Sequence, residues 1–207
     1  MIMNRFRILA AFAAVLCALA SFGAETPAQV LDKTVSKMRK AKSVNCSFRL
    51  EGNGNNVKGT FRSSGGKFNL ATPVSTTWFD GKNMWTANNS TKEITLVNPS
   101  ASEIKETNPF AYLDGYKAQY VLFFSKRKDA GRYLVLLNPR SSESEVKAIE
   151  VAVNRKTYLP ERFIIRDRND KVTTLYVESL TLTAGNPSST FVCPVGSMKD
   201  FELVDLR

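Results

Sequence analysis

From Ser43 to Leu182 apolar residues recur at every second position, in short runs separated by turn residues, and the pattern is interrupted once. A period of two belongs to strands with one buried face. Val44, Cys46, Phe48 and Leu50 alternate with polar residues, Gly52-Asn-Gly-Asn-Asn56 turns the chain, and Val57 to Phe61 returns. Ser63-Ser-Gly-Gly66 turns again into Lys67–Leu70. The stretch Trp78–Val97 carries two reversals, at Asp80-Gly81, which tolerates positive φ, and at Asn88-Asn89-Ser90, whose side chains bond their own backbone. After a break at Asn98, runs resume at Tyr120–Phe124, Tyr133–Leu137, Val146–Val153, Tyr158–Arg166 and Val172–Leu182. The chain closes with Phe191-Val-Cys-Pro194 and Phe201–Arg207. Ten or eleven short strands at even spacing predict an α+β, mainly β protein whose antiparallel sheet curls into a sandwich or barrel.

Two helical pieces accompany the sheet. Thr26-Pro27-Ala28-Gln29 supplies an N-cap, a proline at the first helical position and a capping-box glutamine. The helix it starts runs to about Lys40, with Val30, Leu31, Val35 and Met38 on one face. Within the interruption, Pro99–Thr107 is polar. Asn108-Pro109-Phe110-Ala-Tyr-Leu-Asp-Gly115 then reads as a short helix with Asn108 as N-cap and Gly115 at its end. Phe110, Tyr112 and Leu113 make that piece apolar for its length, so it either plugs a core or lids a cavity.

The first twenty residues stand apart. Arg5 and Arg7 precede the apolar run Ile8–Ala20, which ends in Ala18-Leu19-Ala20, the layout of a secretory signal peptide. The run is too short for a membrane span. Cys17 does not mark a lipoprotein, because Leu16 before it is bulky. Cleavage is expected after Ala20, with Gly23 as the fallback, leaving residues 21–207 as a single domain exported to the periplasm and soluble there. The formal net charge of +10 then falls by two arginines to +8. Such a balance serves solubility or attraction to anionic membranes and acidic partners. No nucleic-acid motif is present.

No histidine occurs in the chain, which removes imidazole acid–base chemistry, Ser-His-Asp and Cys-His nucleophiles and most zinc sites. Ser64–Lys67 and Ser144–Lys147 match Ser-x-x-Lys, but the companion elements of such acyl enzymes are missing. Asp167-Arg-Asn-Asp170 fails the calcium-loop pattern and reads as a hairpin turn. Glu143, Glu145 and Glu150 have no context that would raise a carboxyl pKa, and no phosphate-binding glycine loop occurs. The expectation is a protein without catalytic residues, metal or cofactor, acting as a monomer. Cys46 and Cys193 survive cleavage. They either form a disulfide, which the exported location permits, or remain two buried thiols.

What remains is apolar surface. A curved sheet of this length has more concave face than two small helices cover. Phe48, Phe61, Phe68, Trp78, Trp85, Phe110, Leu113, Leu122, Phe124, Phe163 and Ile165 are the candidates for lining a hydrophobic cavity there. Strand parity decides which of them face it, since a slip of one residue turns a strand's faces over.

Several stretches, taken together, resemble the periplasmic lipoprotein carriers of the LolA-like family. They are the leader followed by a capped helix; Asp80-Gly81-Lys82-x-Met84-Trp85, similar to the family's DGK-x-Leu-Trp; Asn108-Pro109-Phe110 after the polar insertion; Lys156-Thr157-Tyr158-Leu159-Pro160; and the closing Val204-Asp205-Leu206-Arg207. The resemblance implies an unclosed β-barrel around a hydrophobic cavity, with short helices as a lid. It implies receipt of acylated lipoproteins from an inner-membrane exporter and delivery to an outer-membrane acceptor. One stretch departs from the family. Where an arginine that latches the lid is expected, this chain has Ser64-Gly65-Gly66-Lys67-Phe68-Asn69-Leu70, and a lysine does not reproduce a bidentate guanidinium.

The leading expectation is therefore a non-enzymatic carrier of lipoprotein acyl chains or related lipids. The alternative is a regulatory protein of the same fold that senses lipid or envelope stress. A third reading is a structural envelope protein whose concave face is simply filled.

Overall fold

The computed structural model describes residues 24–52, 54–108 and 110–207. The leader over residues 1–20, its fallback at Gly23 and the role given to Pro109 lie outside the described residues. Helix α1 (Pro27–Lys40) starts on the expected capping box: Thr26 Oγ1 accepts from the Gln29 N–H at 3.2 Å, and Gln29 Oε1 accepts from the Thr26 N–H at 2.8 Å. Val30 and Leu31 are fully buried, and Val35 and Met38 pack against the same core. Thr34, also buried, satisfies its hydroxyl by donating to Val30 O at 3.1 Å.

The strands are β1 (Ser43–Gly52), β2 (Asn55–Ser64), β3 (Lys67–Ala71), β4 (Ser75–Phe79), β5 (Met84–Asn88), β6 (Glu93–Val97), β7 (Tyr120–Phe124), β8 (Arg132–Pro139), β9 (Val146–Asn154), β10 (Pro160–Asp167), β11 (Val172–Thr183) and β12 (Glu202–Asp205). They form one curved sheet in the order β12-β6-β5-β4-β3-β2-β1-β11-β10-β9-β8-β7. The chain meanders outward from β1 to β6, restarts at the far edge with β7, and meanders back until β11 pairs with β1. Every pairing is antiparallel except β12 beside β6. The edges β7 and β12 do not meet, so the sheet curls without closing into a barrel.

Two local features bend it. At the central β1–β11 pair, Ser47 faces Ser179 and Phe48 faces Val177, which leaves Glu178 as the extra residue of a bulge. Gly59 lies across from Phe48 on β2, and a Cβ there would sit 2.5 Å from Phe48 Cζ and 2.6 Å from Ala71 O. Glycine at this position lets the Phe48 ring cross onto the neighbouring strand.

Between β6 and β7 comes the insertion, built as α2 (Ala101–Thr107), a 3-10 turn (Ala111–Leu113) and α3 (Tyr116–Gln119). The helix expected over Asn108–Gly115 is thus displaced. Ser100 caps α2 through a second capping box with Glu103, a Ser-x-x-Glu signal present in the stretch read as merely polar. Asn108 ends α2 instead of starting a helix: its N–H donates to Ile104 O at 3.0 Å, and its Oδ1 accepts from the Phe110 N–H at 3.0 Å. Gly115 takes φ 63°, the left-handed region, between the turn and α3.

Pleating divides the apolar residues between two faces. The concave face carries Phe48, Phe61, Phe68, Phe79, Val135, Leu137, Ile149, Val151 and Phe163, covered by α1 and the insertion. On the convex face a smaller core of Ala87, Ile94 and Cys193 is packed with Trp78, Trp85, Val195, Met198 and Phe201. Phe191–Pro194 is not a strand. It runs between two 3-10 turns, Ser188–Phe191 and Val195–Ser197, the first of which lies against β3 and β4.

Candidate binding cleft beneath the lid

The insertion presents Phe110, Leu113 and Tyr116 to the concave core, all three buried. Phe110 stands edge-on to Phe61 (centroids 5.5 Å apart) and to Phe163 (6.0 Å). Phe61 in turn stacks on Phe68 at 5.9 Å, and Phe68 meets Phe79 at 5.3 Å. Phe110 is therefore a wedge between the two halves of the sheet, and each aromatic pair adds about 0.5–1.5 kcal/mol beyond area burial.

Polar groups clasp this lid to α1. The Tyr116 hydroxyl donates to Asp32 Oδ1 at 2.7 Å, and Lys117 Nζ donates to Asp32 Oδ2 at 2.8 Å. Further along the helix, Arg39 approaches Asp114 at 3.5 Å. The bond from Lys117, then that from Tyr116, holds the Asp32 carboxyl below its ordinary range. Burial and the facing carboxylate push the Tyr116 phenol up. No arginine from the β2–β3 region takes part in these contacts; the clasp runs from α1 instead.

Where the lid meets the C-terminal end of α1 and the β2–β3 turn, a cleft of about 370 Å³ opens. Val35, Val44, Phe61, Phe68, Phe110 and Leu113 form its apolar walls, and Arg39, Lys42 and Lys67 stand at its rim. Its volume falls at the lower end of the range of about 300–1,000 Å³ typical of small-molecule pockets.

Of the residues expected to line a cavity, Phe61, Phe68, Phe110 and Leu113 meet in this cleft. Phe48 and Phe163 are buried deeper in the same core, with Leu122 and Ile165 packed at its margin. Phe124 lies at the free sheet edge, 40% exposed and stacked on Tyr133 at 6.0 Å. Trp78 and Trp85 are a correction. They pair across β4 and β5 on the convex face, where they cannot reach the cleft. Their parity is set by Phe79 and Met84, one residue away, which take the concave side.

A disulfide between Cys46 and Cys193 is likewise overturned. Both thiols are free and buried, Cys46 in the concave core and Cys193 in the convex one, on opposite faces of the sheet. Burial pushes them up to about 12 and about 11, so neither is a ready nucleophile. Among the described residues no group of three or more Cys, Asp or Glu could hold a metal ion.

Asp32 and Tyr116, which hold the lid, escaped sequence reasoning. An acid on the polar face of a surface helix carries no local mark of a partner 84 residues away. Ser100 did carry a readable signal, in its capping box.

No curated protein sequence matches the chain. Among solved structures, an uncharacterized conserved protein from Thermus thermophilus is 14% identical and superposes with a TM-score of 0.58, covering 86% of this chain and 97% of its own. A DUF1329 family protein from Desulfovibrio piger is 10% identical at a TM-score of 0.50, covering 83% and 99%. These likenesses show the shared fold. A LolA superfamily protein from Nitrosomonas europaea, 13% identical, covers 83% and 100% at a TM-score of 0.42. A family model described as outer membrane lipoprotein carrier protein LolA matches residues 16–169, about three quarters of the sequence. The chain belongs to that family.

Proposed function

We propose that this protein is a non-enzymatic periplasmic carrier of lipoprotein acyl chains or related lipids. Residues 1–20 serve as its leader and residues 21–207 as a single, monomeric carrier domain. It takes cargo from an inner-membrane exporter and yields it to an outer-membrane acceptor. The observation that carries this reading is the apolar cleft walled by Phe61, Phe68, Phe110 and Leu113, beneath a lid that is wedged into the core by Phe110 and clasped to α1 by polar contacts.

The energetics suit a reversible carrier. Re-exposing Phe110 costs about 1.5–3 kcal/mol. An acyl chain entering its place recovers about 0.8 kcal/mol per buried methylene, so roughly two to four methylenes offset the displaced ring. Longer chains bind with a surplus, while the returning wedge competes for the site and limits that surplus. No bond is made or broken in such a transfer, so the residues need only exclude water and yield. Energy input for loading comes from the exporter.

The test is lipoprotein release from spheroplasts of the host. Purified protein should bring acylated proteins into the soluble fraction in a one-to-one complex, and Phe110→Asp should abolish this. Absence of release with an intact exporter and a working positive control would overturn the carrier reading in favour of lipid sensing.

A further inference from the structure

β7 is a free edge of the sheet and ends on two phenylalanines left in solvent, Phe123 at 48% and Phe124 at 40% exposure. Proteins normally blunt or cover such an edge. Here it leads into the exposed tip Lys126-Arg127-Lys128.

Behind Phe124 lies a ladder of rings and cations. Phe124 stacks on Tyr133, and Tyr133 stacks on Tyr158 at 6.1 Å. The Arg155 guanidinium lies 4.1 Å over the Tyr133 ring, and the Lys33 ammonium lies 4.6 Å over that of Tyr158. Tyr158 holds φ 55°, an uncommon conformation for a bulky side chain, in the turn that places its ring in the ladder.

The charge of this corner is one-sided. Its carboxylates are already committed: Glu25 to Lys33 and Tyr158, Asp129 and Glu161 to Arg132, and Glu150 to Arg127 and Arg162. Lys126, Lys128, Arg155 and Lys156 meet no carboxylate among the described residues and stand exposed. Exposed phenylalanines flanked by unneutralised cations, with tyrosines presenting an apolar body and a polar tip, match the layered chemistry of an anionic membrane surface.

We propose that the β7–β8 tip and the Tyr133–Tyr158 ladder dock the protein on anionic phospholipid, Phe123 and Phe124 entering the interface while the four cations meet phosphates. This docking does not depend on what the cleft holds. Each Lys or Arg at such a surface raises partitioning by roughly fivefold, an attraction that salt screens. The ladder reaches α1 at Lys33, next to the Asp32 that clasps the lid.

Flotation of the full mature protein with vesicles tests the proposal. Phosphatidylcholine vesicles carrying phosphatidylglycerol are compared with phosphatidylcholine alone, at low and high salt. The protein should float only with the anionic vesicles, and high salt should release it. Lys126→Glu/Lys128→Glu should weaken binding by about 25-fold or more, from two cations at roughly fivefold each, and Phe124→Ser should weaken it at unchanged net charge. Lys58→Glu/Arg62→Glu, the same charge change on exposed β2 positions, should retain binding beyond what those Lys126/Lys128 and Phe124 variants show. Failure to float, equal flotation with neutral vesicles, or equal loss in the β2 variant with all proteins folded by circular dichroism would overturn the proposal.

Discussion

On the concave face the sheet is covered by α1 and the lid, which reach each other through side chains: Asp32 with Tyr116 and Lys117, Arg39 with Asp114. On the convex face the cover is the segment around Phe191–Phe201, and backbone bonds stitch its end into the sheet. The Glu202 N–H donates to Lys92 O at 2.8 Å and the Leu206 N–H to Leu96 O at 2.8 Å, flanking the parallel β12–β6 pairing. The lid's ion pairs to α1 are exposed and contribute little, so lifting it costs mainly the re-exposure of Phe110, Leu113 and Tyr116, which an entering acyl chain can offset. A cover woven into the sheet lifts only by breaking the sheet. The cleft lies under the first cover, and the tryptophans under the second.

This contrast can be broken or sharpened by substitution. Phe163→Ala, in the deepest part of the concave core, should cost about 3–5 kcal/mol in urea unfolding, with Ile94→Ala on the convex face costing about 2–5 kcal/mol. The two should separate in the release assay: Ile94→Ala leaves cargo uptake per folded molecule unchanged, whereas cargo loss equal to that of Phe110→Asp would erase the distinction between the faces.

Gly59→Ala should cost about 1–3 kcal/mol by the same unfolding measurement. Its methyl group collides with Ala71 O, a backbone atom, as well as with the Phe48 ring. A neutral result would mean that the sheet's curvature at Phe48 is adjustable.

Smaller still is the effect of Asp32→Asn. Global unfolding should barely move, while hydrogen-exchange protection falls in residues 110–119 and not in the segment 191–205. The wild-type clasp should also respond to acid. Asp32 titrates below its ordinary 3.8 in the folded protein, so its contribution is complete above that value and is lost as pH falls through the depressed one. Lid protection should decline in that acidic window in the wild type and stay flat in Asp32→Asn. Equal profiles would remove Asp32 from the clasp.

The least change is expected from thiol reagents. The native mature protein should react hardly at all at Cys46 and Cys193, and the urea-unfolded protein should titrate both without reductant. A requirement for reductant would restore the disulfide and contradict the placement of the two residues on opposite faces.

Much of this architecture was legible before any coordinates. Period-two alternation marked nearly every strand, because a residue two positions on returns to the same face of a pleat. Thr26 and Gln29 announced α1, because a capping box satisfies helix N–H groups from within four residues. Phe61, Phe68, Phe110 and Leu113 were assigned to the concave side and meet there. Local chemistry fails where the deciding partner is remote. Trp78 and Trp85 each adjoin an apolar residue that takes the concave side, Phe79 and Met84, and it is the C-terminal segment packed behind them that gives the tryptophans an apolar place on the convex face.

The sequence by itself thus determined the strands, the first helix and the apolar character of the interior, since each rests on interactions a few residues long. Tertiary structure alone decided which face each tryptophan takes, that Cys46 and Cys193 lie apart, and that Asp32 holds Tyr116 from 84 residues away. Those outcomes depend on how a twelve-stranded sheet curls and what then covers each side, and no stretch of the chain read alone contains that information.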